Sequence, residues 1–168
     1  MFGFSSFLSQ LKQPEYVHVL LNHWPLEGMA AGVFILLMAL VFGRERERWG
    51  ALLWLTVMSV AMWMTVRSGQ GGYDRVSAMS TSEAQAWLDL HANRAKDGAF
   101  VFYLSGAAAL ASLLARRRET LSRRLAILAF ALGVVSIGLA GWISHAGGQI
   151  RHSEFRAGPP PTAARPHE

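Results

Sequence analysis

Residues Leu125–Trp142 read LAILAFALGVVSIGLAGW, with no charged side chain anywhere in the run. A helix on the surface of a soluble bundle carries polar residues at every third or fourth position along its solvent face. This stretch does not, and neither does VFILLMALVF at Val33–Phe42. Working outward, the chain holds four such blocks, 25–43, 50–66, 98–115 and 125–143, and Glu27 at the edge of the first is their one charged residue. Each is long enough as a helix to cross the ~30 Å of bilayer hydrocarbon. The expected fold is therefore an all-α membrane protein, a four-helix transmembrane bundle running up-down-up-down. One four-span domain is expected over residues 1–156 and a proline-rich disordered tail over 157–168.

The net charge of +5 would fit a nucleic-acid binder, but its distribution argues for none. Arginines crowd into two short loops, Arg44–Arg48 (RERER) and Arg116–Arg124 (RRRETLSRR), which is a topology signal. Eight Lys/Arg fall on each side of the membrane, but those eight are packed while the others are spread and mixed with acids. The arginine loops are thus expected to face the cytoplasm of a bacterium, with the chain in its inner membrane. Both termini and a long middle loop (67–97) would then face the periplasm. No signal-peptide pattern precedes the first block, which reads as a retained anchor.

Within the middle loop, SGQGGYD reads as a flexible turn. Ser80 with Glu83 has capping-box spacing. Ala84, Trp87, Leu88, His91 and Ala95 line one face of an amphipathic helix. At the N-terminus Phe2, Phe4, Phe7, Leu8 and Leu11 suggest a short interfacial helix.

With no cysteine, disulfides, thiolate metal sites and covalent c-type haem are excluded within this chain. The histidines carry the chemistry. His18 and His23 open the first span in HVLLNHWP, His91 precedes the third, and His145 and His152 follow the fourth in SHAGGQIRH. All five fall on the outward side, as does His167 in the tail. Neutral imidazole is a good axial ligand for haem iron and a common ligand for zinc or copper. A b-type haem needs ligands from facing helices, a thin slot and donors for its propionates. His23 with His91 is the preferred pair. His18 with His145 or His152 comes next, and the supply allows one or two haems.

Gly28 and Gly32 would thin the first span, as Gly138 and Gly141 would the fourth, although helix packing explains such spacing as well. Arg67, Arg94 or Arg151 would meet a propionate, while Arg67 alone also reads as a snorkelling charge. Glu27 stands four residues after His23, as a partner or a helix-dipole carboxylate. Gly147-Gly148 is expected to end the fourth helix and fold His152 back.

HVLLNHWPLEG, the middle histidine and HAGGQIRH together resemble the bacterial four-span proteins of the domain of unknown function 2231 family, over roughly residues 15–156. His18, His23 and Pro25 match its opening, His91 its middle, and Gly147, Gly148 and His152 its close. Val19 and Ser153 depart from the pattern, where a proline and a glycine are expected. Some relatives are joined to Rieske-type or other redox domains, so the resemblance implies electron transfer, in the manner of small membrane b-type cytochromes. The expected function is a membrane electron carrier, or a redox-complex subunit, binding b-type haem at the periplasmic face. Its partners would be the bilayer, a periplasmic or membrane redox protein, and further copies or subunits in an oligomer. Zinc or copper binding by the same histidines is one alternative; a purely structural subunit is another. No nucleophile-plus-base pattern supports an enzyme.

Overall fold

The computed structural model describes residues 4–162 and is all-helical. Two short helices, α1 (Phe4–Gln10) and α2 (Pro14–Leu21), lead into α3 (Trp24–Val41). Three long helices follow: α4 (Glu45–Ala78), α5 (Ser82–Leu114) and α6 (Glu119–Arg151). A 3₁₀ turn at Ser153–Phe155 ends the ordered pattern. Phe2 and His167 lie outside the described residues.

Four helical segments, Pro14–Val41, α4, α5 and α6, are long and apolar enough to cross a membrane. That gives the chain the character of a multi-pass membrane protein. The helices α3 to α6 close into a ring, α3 on α4, α4 on α5, α5 on α6 and α6 back on α3. The core between them is built from Met29, Val33, Leu36, Leu55, Met58 and Phe102, with alanines from α5 and α6.

Large side chains such as Phe34, Trp54, Val60, Phe100 and Ile127 point outward. In lipid there is no hydrophobic penalty for that, and helices associate instead through close packing and interhelical hydrogen bonds. Small and hydroxylic residues supply both. Ser59 Oγ donates to Phe102 O at 3.0 Å, Ser105 Oγ to Ala129 O at 3.1 Å, and Ser112 and Ser122 bond reciprocally across α5 and α6. A methyl at Gly106 would strike Ser59, and one at Gly133 would come within 2.6 Å of Val33.

The middle of the chain differs from the expected long loop. Residues 67–78 continue α4 and residues 82–97 begin α5, so only Met79–Thr81 is non-helical. The 34 residues of α4 extend about 51 Å, well beyond the bilayer core. The N-cap of α5 is Thr81, not Ser80; its Oγ1 accepts from Ala84 N at 3.3 Å. The expected amphipathic helix is thus the first part of α5, with Trp87 and Leu88 buried.

SGQGGYD is helical because its glycines face α2. A Cβ at Gly72 would lie 2.8 Å from the Glu15 backbone, and one at Gly71 would lie 3.1 Å from Pro14. Mid-helix glycine costs up to ~1 kcal/mol in backbone freedom, and here the close approach of a neighbouring helix offsets it. Glu15 then pairs with Arg75 at 2.8 Å.

Helix α6 also runs on through Gly147-Gly148 to Arg151, past the stop that the glycine pair suggests. Arg156 folds back to cap it, donating to Gln149 O at 2.8 Å and Ile150 O at 3.1 Å while pairing with Glu83 of α5 at 3.0 Å. Residues 157–162 have no regular structure.

Candidate cofactor site

The break between α2 and α3 sets the site. Pro25 has no N–H, so Leu21 O loses its helical donor. The Thr65 hydroxyl reaches that carbonyl at 3.4 Å, sharing its proton with Ala61 O at 2.9 Å. On the same residue, Thr65 O takes the His18 ring, Nδ1 to O at 2.9 Å. One turn on, a Cβ at Gly69 would stand 2.9 Å from His18 Nδ1. The imidazole lies in the hollow that this glycine leaves.

His91 on α5 repeats the arrangement against α6. Its Nδ1 lies 3.0 Å from Ile143 O, and a Cβ at Gly147 would lie 3.1 Å from the ring. In each case the accepting carbonyl stands four residues before the glycine, Thr65 before Gly69 and Ile143 before Gly147.

A backbone carbonyl can only accept, so Nδ1 carries the proton in both rings. Nε2 is therefore the lone-pair nitrogen, the form that ligates metal, and the backbone carbonyl on Nδ1 fixes the ring. Neither Nε2 has a hydrogen-bond partner among the described residues.

The two rings face each other edge-on, 6.2 Å between centroids and 76° between planes. An ion held ~2 Å from one nitrogen of each ring sets the centroids roughly 6 Å apart. Edge-to-face packing spans the same range, ~4.5–7 Å, so the free Nε2 atoms, not the distance alone, distinguish the site. Three buried polar atoms without partners belong to residues near the pair: Asn22 Oδ1, four residues after His18, Trp87 Nε1, four before His91, and Arg94 Nε, three after it. Arg94 also stacks on Trp142 at 4.4 Å and donates to Trp142 O at 2.9 Å.

The remaining sequence candidates lie elsewhere. His23 is exposed at the N-cap of α3, so the structure pairs His18, not His23, with His91. His145 is exposed. His152 stacks on Phe155 and pairs with Glu154 at 3.0 Å. The Glu154 carboxyl sits below its ordinary range, held first by its own backbone N–H and then by the His152 ring. Arg67 and Arg151 are exposed.

Gly28 and Gly32 face α4. A methyl at Gly28 would strike Met58, one at Gly32 would meet Leu55 and Trp54 at 2.8 Å, and Trp54 Nε1 donates to Gly28 O at 2.7 Å. They seat α3 on α4 and leave no slot for a macrocycle. Gly138 and Gly141 face open space.

Thr65 and Gly69 were not singled out from the sequence. Their one signal is the shared four-residue offset from Thr65 to Gly69 and from Ile143 to Gly147, invisible until the two carbonyls are known to hold histidines.

No group of three or more His, Asp or Glu able to hold a metal ion occurs among the described residues. No family model, curated protein or solved structure matches the chain.

Proposed function

We propose that this chain is a membrane electron-transfer protein, or a subunit of a redox complex, that binds one b-type haem between His18 and His91. The observation that carries the reading is the pair of facing imidazoles, each fixed through Nδ1 to a carbonyl with Nε2 free. Two is the number of protein ligands that a six-coordinate haem of the electron-transfer kind takes, since its macrocycle supplies the other donors. A structural zinc site wants four, and no group of even three suitable residues occurs among those described. Zinc or copper alone is the weaker reading for that reason.

The residues present fit the group. Gly69 and Gly147 let the rings seat closely, and the buried, unpaired Arg94 Nε–H is a donor suited to a propionate. A bound haem would supply a one-electron couple. The chain would hold it at the end of the bundle away from the arginine loops, in a bacterial inner membrane with that end periplasmic. With the pair at one end, electrons would be exchanged there and not carried across the bilayer by this chain alone. Membership of the family of unknown function 2231 belongs to the same proposal, supported by His18 and His91 falling on matched motif positions.

The test is a reduced-minus-oxidised spectrum with pyridine haemochrome quantification on purified protein. One haem b per chain is expected; metal without a Soret band would sink the reading. Sidedness is tested separately. A membrane-impermeant reductant should reduce the haem only in vesicles that expose the histidine end.

A further inference from the structure

At the opposite end, a cavity of about 160 Å³ lies between the end of α3 and the starts of α4 and α6. Arg44, Arg48 and Arg123 line it, opposed by the carboxylates of Glu45 and Glu119. Arg48 is buried, with 7% of its surface exposed, and both its terminal nitrogens are taken by Glu119 at 2.9 and 3.1 Å. Its Nε–H is buried with no partner. Arg123 makes no ion pair among the described residues, and Arg44 makes only a loose exposed one, 3.9 Å from Glu47. Two guanidiniums at the rim therefore remain open to an anion.

The backbone adds to this. The N-caps of α4 and α6, Arg44 and Arg118, provide no side-chain cap, so both helices bring uncapped N-termini to this end. First-turn N–H groups with the positive end of the dipole favour a bound anion. Gly43 completes the wall. Its φ of +65° ends α3 in a Schellman turn, with Arg44 N bonded to Ala39 O at 2.9 Å.

Size and position select the ligand. Pockets that enclose a whole small molecule run to ~300–1,000 Å³, and this one is smaller. It suits a charged group whose remainder lies outside. Its apolar wall is Ala39 and Leu40, the last turn of a lipid-facing helix. Basic pockets between helices at this level of a membrane bind anionic head groups. We infer that this cavity binds the phosphate of an anionic phospholipid, with the acyl chains lying along α3. This inference is independent of the histidine site.

The test titrates full-length protein in detergent with dihexanoyl-phosphatidylglycerol, dihexanoyl-phosphatidylcholine or inorganic phosphate, reading the thermal midpoint. Phosphatidylglycerol should raise it saturably and phosphatidylcholine should not. The double substitution Arg44→Gln with Arg123→Gln should weaken the lipid by about tenfold or more, as losing charge-assisted hydrogen bonds implies. If that variant does not fold, Glu45→Gln, which removes an opposing carboxylate, should tighten binding. Equal shifts from phosphatidylcholine, or inorganic phosphate binding as tightly as the glycerolipid, would overturn the proposal. So would unchanged affinity in the double variant, or in Glu45→Gln where that stands in for it.

Discussion

The two ends of the bundle solve the same problem with opposite chemistry. Each must tie neighbouring helices together where the apolar core gives out. At the arginine end the ties are charged: Arg48 grips Glu119 in a bidentate fork and stacks on Trp49 at 4.7 Å. At the histidine end the ties at the centre are neutral, imidazole to backbone carbonyl. A fork uses both faces of its donor set for structure. A histidine bonded through Nδ1 has a second nitrogen left over, so the same contact that joins two helices also leaves a lone pair free.

The sharpest way to break this contrast is to remove one imidazole. His91→Ala should abolish nearly all bound haem, while His145→Ala and His23→Ala should retain it; haem content after pyridine extraction checks this. Loss of low-spin haem in His23→Ala, with low-spin haem kept in His18→Ala, would reverse the assignment of the pair.

Next in size is the seat of the ring. Gly147→Val would drive side-chain atoms into the His91 ring, 3.1 Å from where even a Cβ would stand. Haem affinity should fall by about five- to a hundredfold, because overpacking costs ~1–3 kcal/mol. Gly138→Val, where a Cβ meets nothing, should leave affinity unchanged. Titration of apoprotein with haemin compares the two.

The smallest expected change is at Gly43→Ala. A left-handed residue other than glycine costs ~1–2 kcal/mol. The midpoint should fall slightly with haem content unaffected.

Much of the architecture was legible because lipid imposes a composition. Four blocks almost free of charge, such as Leu125–Trp142, leave few alternatives, and each falls in a helical segment long and apolar enough to cross a membrane. The middle segment misled for a physical reason. SGQGGYD has turn-like composition, but composition weighs local backbone freedom and cannot see that Pro14, Glu15 and His18 press on those glycines from another helix. Gly147-Gly148 misled in the same way, since His91 and Phe155 pack against them.

The site was legible only as a set. Spacing placed five histidines at one end, but choosing His18 over His23 depends on how Pro25 breaks the helix and which carbonyls α4 and α6 offer. Those are backbone groups, the same for every residue type, and leave no mark in the sequence. Arg48, a topology charge by its place in the sequence, is also a buried tie between α4 and α6.

The most direct test of the central claim is the low-temperature EPR spectrum of the ferric, purified protein. The rings of His18 and His91 stand 76° apart. One haem between them should give the highly anisotropic low-spin signal of near-perpendicular imidazoles, and His18→Ala should convert it to high spin. A low-spin signal characteristic of parallel imidazoles, or one that survives loss of His18, would contradict the account.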